Sequence, residues 1–99
     1  MILNCYSLFD NKSLTYAAPF FGPTDGFATR AVRDLANDQT TMVGRHPGDF
    51  VLFCIGQYDD QKGLMSPVAP LRHVVDAVAL VNAFPTPDLF KQGQNKEAF

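Results

Sequence analysis

Apolar residues in the first part of the chain form two strand-like runs. Ile2 to Phe9 is rich in strand-forming residues and ends at a polar cluster typical of a turn, and Leu14 to Phe21 is a second such run. Two runs joined by a short turn predict a β-hairpin. Pro19 lacks an amide donor, so it suits an edge strand or a strand end, and Gly22-Pro23 stops the second run.

A helical stripe follows this hairpin. Thr24 fits a helix N-cap, and Asp25 complements the positive end of the helix dipole. Apolar residues then recur at helical spacing, which predicts a helix of about three turns that ends at Asn37-Asp38. The stripe consists of Phe27, Ala28, Ala31, Val32 and Leu35.

The strongest strand signal in the chain is Phe50 to Ile55, which follows a connector over residues 39–49. This run is apolar on both faces, so it predicts a central strand that is buried on two sides. A single helix covers only one face of a sheet. The second face therefore needs another cover, which is either the later segment or a second copy of the chain.

The last part of the chain is harder to assign. A turn over Asp59 to Gly63 precedes a short strand that begins at Leu64-Met65 and that Pro67 is predicted to end. Pro70 to Val81 is rich in β-branched residues, which favours a strand, but its length and one apolar stripe favour a helix. The helix is the preferred interpretation.

These elements predict an α+β fold: a small, mainly antiparallel sheet in a ββαββ arrangement with one packed helix, a second C-terminal helix and an irregular tail. The predicted domain spans residues 1–82, and the predicted tail spans residues 83–99. A chain of 99 residues with 46% hydrophobic and 18% charged residues is typical of a single globular domain.

Charge and cysteine content narrow the choice of partners. The net charge of −2 opposes strong non-specific binding to nucleic acid but leaves room for a local basic patch. Cys5 and Cys54 lie in apolar runs of a chain that reads as cytosolic, so they are predicted to be buried free thiols. No apolar run approaches the roughly 20 residues that a membrane span needs, so no membrane partner is expected.

The sequence contains no recognisable catalytic set. His46 and His73, taken with the two cysteines, have none of the spacings typical of zinc sites, so neither a metal nor another cofactor is expected. The carboxylate pair Asp59-Asp60 sits in a polar turn beside Lys62, where it is typical of a solvated loop. An enzyme is therefore the least favoured class.

Basic and aromatic residues are the candidates for binding. Positive side chains near phosphates and exposed rings that stack on bases are the means by which proteins hold single-stranded nucleic acid. The alternative is that the arginines serve only solubility. Phe20 and Phe21 are adjacent in a predicted strand, so they point to opposite faces: one is expected in the core, and the other is exposed or meets a partner chain. The candidate DNA-binding residues are Arg30, Arg33, Arg45, His46, Lys62, Phe20, Phe21 and Tyr58.

Several stretches in order carry a family resemblance over residues 2–65. They are Tyr6-Ser7-Leu8-Phe9-Asp10, Pro19-Phe20-Phe21, Asp34-Leu35-Ala36-Asn37-Asp38, His46-Pro47-Gly48-Asp49-Phe50 and Tyr58-Asp59-Asp60. In this order the chain resembles the small nonstructural protein of gokushovirus-type microviruses, which are single-stranded DNA phages. The resemblance implies a non-capsid protein in the cytoplasm of the infected bacterial host that acts in viral DNA synthesis or packaging. It supplies no active-site residues.

Three hypotheses follow. The first is a homodimeric accessory factor that touches single-stranded DNA or the viral replication complex. The second is a protein-interaction module that contacts a viral replication protein or a host factor through an exposed sheet edge or a Phe-rich surface. The third is a minor capsid-associated protein.

Overall fold

The computed structural model describes residues 1–82, together with the backbone of two short strands farther along the chain. The predicted tail otherwise lies outside the described residues. The helices and strands are β1 (Ile2–Asp10), β2 (Thr15–Tyr16), β3 (Phe20–Gly22), α1 (Asp25–Ala36), α2 (Met42–Arg45), β4 (Phe50–Asp59), β5 (Leu64–Asp76), β6 (Gln94–Asn95) and β7 (Glu97–Ala98). Two 3-10 turns cover Pro47–Asp49 and Ala77–Leu80.

A five-stranded antiparallel sheet with one main helix forms the fold, which confirms the predicted α+β class. The strand order is β2-β1-β4-β5, and β3 pairs with β1 beside β2. The second predicted strand is therefore divided in two, with Pro19 in the gap. At this gap the Ser7 hydroxyl donates a 2.7 Å hydrogen bond to the carbonyl oxygen of Ala17. The Ala17 amide also donates a hydrogen bond to the carbonyl oxygen of Leu8. Together these two bonds keep the segment between β2 and β3 attached to β1.

Helix α1 packs on one face of the sheet through small residues. Thr24 caps the helix, since its hydroxyl accepts a 3.2 Å hydrogen bond from the Phe27 amide. Ala28, Val32 and Ala36 are buried, and Leu35 packs beside them. The predicted stripe is thus rotated, because the Phe27 ring is 49% exposed and lies against Gly22 at the helix start. The core beneath α1 contains Tyr6, Leu8, Phe50, Leu52 and Cys54.

The connector over residues 39–49 is more regular than the sequence suggests. It contains α2 and the first 3-10 turn. The Thr41 hydroxyl accepts a 3.0 Å hydrogen bond from the Gly44 amide and donates a 2.8 Å bond to the carbonyl oxygen of Leu35. A polar side chain therefore ties α2 to the end of α1, and hydrophobic periodicity carries no signal for such a capping contact.

The prediction of a C-terminal helix over residues 70–81 is wrong. Strand β5 runs from Leu64 to Asp76 and ends in the second 3-10 turn. Pro67 does not end the strand, because β5 lies at the sheet edge, where an amide donor is dispensable on the outer side. Residues 68–71 face the single β4 residue Ile55, so the strand is irregular there. Pairing with β4 makes this segment a strand, although its length favoured a helix.

Strand β4 is central, as predicted, but its two faces differ. Leu52 and Cys54 are buried beneath α1, while Val51, Phe53 and Ile55 are only half-buried. The later segment pairs beside β4 instead of lying over it. Within residues 1–82, the later segment therefore does not cover the second face of the sheet, and cover by a second copy of the chain stays a prediction.

Candidate nucleic-acid interface

A row of rings crosses the sheet on the face that points away from α1. Alternation along the strands places Phe9, Phe53 and their paired neighbours opposite the core residues Leu8 and Leu52. The ring centroids are 4.8 Å apart for Phe9 and Tyr16, 6.1 Å for Tyr16 and Phe53, and 6.0 Å for Phe53 and His73. We call this row, which contains Phe9, Tyr16, Phe53 and His73, the aromatic face.

The row takes one residue from each of the four strands β2, β1, β4 and β5. Tyr16 is 47% exposed, His73 is exposed, and Phe9 and Phe53 are half-buried. Each ring therefore keeps part of its surface in water. Exposed rings at this spacing on a sheet are suited to stack with unpaired bases.

A second ring pair lies farther along the same face. Phe21 is paired with Cys5, and Tyr58 is paired with Leu3, which lies two residues away on β1. Their centroids are 5.6 Å apart, and Phe21 is 44% exposed. Phe20 points the other way and packs 5.7 Å from Tyr6 on the core side. Of the two adjacent rings, Phe21 lies on the side of the aromatic face and the half-buried Phe20 packs on the core side, as strand alternation predicts.

A solvent-open cleft of about 670 Å³ lies between α1 and β5 on the other side of the sheet. We call it the arginine cleft. Arg30 and Arg33 are exposed, and neither forms an ion pair within residues 1–82. The cleft is lined by Asp25, Gly26, Thr29, Arg30, Arg33 and Val74.

A polar network fastens the start of α1 to the sheet beside this cleft. The Arg72 guanidinium donates bonds of 2.6 and 3.0 Å to the two oxygens of Asp25. The Tyr6 hydroxyl donates a 2.7 Å bond to Asp25 Oδ1, and Asn4 Nδ2 donates a 3.0 Å bond to the Tyr6 hydroxyl. One carboxylate thus joins β1, α1 and β5.

The network shifts the proton affinities of its members. Hydrogen bonds from Arg72 and Tyr6 hold the pKa of Asp25 below its ordinary value. Burial, followed by the bond to the Asp25 carboxylate, raises the pKa of Tyr6 to about 12. The hydrogen bond to Asp25 likewise raises the pKa of Arg72. Asp25 and Arg72 balance each other, so the unbalanced charge of the cleft comes from Arg30 and Arg33.

The remaining basic candidates lie elsewhere. Arg45 is on α2, where it donates a 3.2 Å bond to the carbonyl oxygen of Gln39, and His46 follows it. Lys62 is in the turn between β4 and β5. Of the five basic candidates, the structure brings only Arg30 and Arg33 together in the cleft.

The sequence did not identify Phe9, Tyr16, Phe53 and His73 as a row, or Arg72 as a partner of Asp25. Alternation along the Phe50 to Ile55 run carried a signal, because it places Phe53 opposite Leu52. Arg72 and His73 gave no usable signal, since the predicted helix placed them on the wrong kind of element.

Other candidate chemistry is limited. Cys5 and Cys54 are free and buried, as predicted, and burial raises the pKa of the Cys5 thiol. Within the described part of the chain, no three His, Cys, Asp or Glu side chains cluster in a way that could hold a metal ion. Among the described helices, none has the length and apolar character to span a membrane.

A protein-family model matches most of the chain. The sequence model of the family described as Phage ORF5 protein matches residues 3–80, which include both the aromatic face and the arginine cleft. No curated protein and no solved structure matches the chain.

Proposed function

This chain belongs to the Phage ORF5 protein family, and on that premise we propose that it is a non-catalytic bacteriophage accessory protein that binds single-stranded DNA. We place it with the gokushovirus-type nonstructural proteins, which its residues 2–65 resemble. In this proposal it acts in viral single-stranded DNA synthesis or packaging, in the cytoplasm of the infected bacterium. The observation that carries the proposal is the aromatic face.

Stacking is the interaction that this face supports. Each base that stacks on an aromatic side chain contributes about 1–3 kcal/mol, whatever the base. The row offers rings from four neighbouring strands, and Phe21 and Tyr58 extend it. A net charge of −2 limits the contribution from phosphate contacts. Stacking must therefore supply most of the affinity, and the dissociation constant is expected to be on the order of 10 μM at physiological salt.

Fluorescence anisotropy with a labelled oligothymidine at low salt tests this proposal. The variant Tyr16→Leu/Phe53→Leu keeps the face apolar but removes two rings. We expect it to bind at least about tenfold more weakly, since two stacked bases are lost. Met42→Ala is the matched control, because Met42 is an exposed apolar residue on α2, outside the aromatic face.

Two results would refute DNA binding through this face. One is the absence of any anisotropy change at protein concentrations of tens of micromolar. The other is equal binding by the wild-type protein and the two-leucine variant, provided that circular dichroism shows both to be folded.

A second candidate is protein contact, favoured by the apolar residues that border the rings. Val51 is half-buried on the aromatic face, and Met65, which pairs with Tyr58 at the start of β5, is 55% exposed. A second copy of the chain, a viral replication protein or a host factor could cover such a surface. Light scattering separates a dimer from the monomer of 10.9 kDa. Adding the oligonucleotide to the same sample shows whether DNA and the second copy compete for the face.

A further inference from the structure

The arginine cleft has the charge and shape of a phosphate site. Arg30 and Arg33 are three residues apart on α1, so they are neighbours along the helix surface. Neither is engaged in an ion pair within residues 1–82, and the half-buried Thr29, one residue before Arg30, also lines the cleft. Guanidinium groups present several N–H donors in a planar fork that fits phosphate oxygens.

The acidic residue in the cleft does not cancel this charge. Asp25 is held by both nitrogens of the Arg72 fork and by the Tyr6 hydroxyl. Its carboxylate is therefore already matched by a cation of its own. An incoming anion would meet the unmatched charges of Arg30 and Arg33.

The cleft and the aromatic face meet at the β5 edge of the sheet. Val74 lines the cleft, and its chain neighbour His73 belongs to the ring row. Val74 is the unpaired residue of a β-bulge, because His73 pairs with Phe53 and Val75 pairs with Leu52. No described strand pairs with the outer side of β5. A linear ligand could thus pass from one side of the sheet to the other around a single strand.

We propose that the arginine cleft binds phosphate groups, and that a DNA strand stacked on the aromatic face crosses the β5 edge to place its backbone there. Arg30 and Arg33 donate to the phosphate oxygens, and the Thr29 hydroxyl adds a further donor. The cleft chemistry stands on its own, whereas DNA as the source of the phosphates rests on the proposed function.

The first arm of the test uses DNA and salt. Each phosphate contact to a single strand contributes about 0.7 to the slope of log K against log salt. Arg30→Gln/Arg33→Gln should therefore lower the magnitude of this slope by about 1.4 and weaken binding at low salt by roughly tenfold or more. Lys12→Gln is the control, because it removes one positive charge from an exposed turn residue outside the cleft. We expect the control to keep most of the slope.

The second arm uses pyrophosphate as a free source of phosphate. In amide NMR spectra, pyrophosphate should shift Gly26, Thr29 and their neighbours in the wild-type protein but not in Arg30→Gln/Arg33→Gln. A cleft that binds pyrophosphate in a protein that binds no DNA would support the phosphate site and refute the DNA path. DNA binding with a slope unchanged by the arginine variant, and no shifts with pyrophosphate, would overturn the cleft while leaving stacking intact.

Discussion

The two faces of the sheet are built from the same strands but differ in what they can do. Leu52 and Phe53 are neighbours on β4; Leu52 is fully buried beneath α1, whereas Phe53 is half-buried in the ring row. The covered face gains its stability from the burial of apolar side chains against α1. The aromatic face keeps apolar surface in water. This contrast shows that alternation along a single strand can separate folding from binding.

Polar groups differ between the faces in the same way. On the covered side, the fully buried Tyr6 directs its hydroxyl to Asp25, so a polar network closes the core at the start of α1. On the aromatic side, His73 and Asp76 form a 2.8 Å pair whose side chains are 56% and 55% exposed. Exposed pairs of this kind contribute little to stability. The Arg72–Asp25 pair is itself 47% and 42% exposed, so the larger contribution of the network to folding should come from the hydrogen bond of the fully buried Tyr6.

The largest expected effect tests the contrast directly. Leu52→Ala should lower the free energy of unfolding by about 3 kcal/mol, because it leaves a cavity in the core. Phe53→Ala should lower it by only about 1 kcal/mol, since part of this ring is already in water. Urea denaturation measures both values. If both variants lose the same free energy of unfolding, the aromatic face is covered in solution. A urea midpoint that depends on protein concentration would then identify a second copy of the chain as the cover.

A smaller effect is expected at the carboxylate of the polar network. Asp25→Asn should lower the free energy of unfolding by about 1.5 kcal/mol at pH 7, because Tyr6 and Arg72 lose a charged acceptor. Because the pKa of Asp25 is lowered in the folded protein, its carboxylate stabilises the fold at pH values above the ordinary pKa of 3.8. This stabilisation is lost as the pH falls through the folded-state pKa. The difference between wild type and variant should therefore shrink in acid. Urea midpoints at pH 7 and pH 2.5 test this, and a constant difference would contradict it.

The smallest effect concerns the tyrosine hydroxyl. Tyr6→Phe should lower the free energy of unfolding by about 1 kcal/mol, since the buried ring remains and only the hydroxyl bonds are lost. The pKa of Tyr6 is raised from 10.0 to about 12, so its contribution is complete below pH 10 and is lost between pH 10 and 12. Absorbance titration should show one late tyrosinate step in the wild-type protein. Persistence of that step in Tyr6→Phe would assign it to another tyrosine.

Much of the fold could be predicted from local patterns. The Thr24 cap, the helix that follows it, the central strand and the turn after Asp59 are all visible in the spacing of apolar and polar residues. The length rule failed over Pro70 to Val81, because an edge strand tolerates prolines and can be long when a neighbour pairs with it. The rotation of α1 was also missed. Small residues let the helix approach the sheet, and this approach depends on the sheet surface.

The candidate site was less accessible to prediction than the fold. Arg30 and Arg33 could be grouped from their spacing on one helix. The bond between Asp25 and Arg72 joins residues that are 47 positions apart, and the ring row takes single residues from four strands. No local pattern encodes such contacts.

By itself, the sequence determined the helix and strand positions over most of the chain and the alternation that sends Phe53 and Leu52 to opposite faces. These follow from the backbone periods of 3.6 and 2.0 residues, which act within a single segment. Only the tertiary structure decided that residues 64–76 form an edge strand, that four rings align across the sheet, and that α1 and β5 enclose a basic cleft. Each of these depends on contacts between segments that are distant in the sequence. Such contacts stabilise the protein only after the intervening loop has closed.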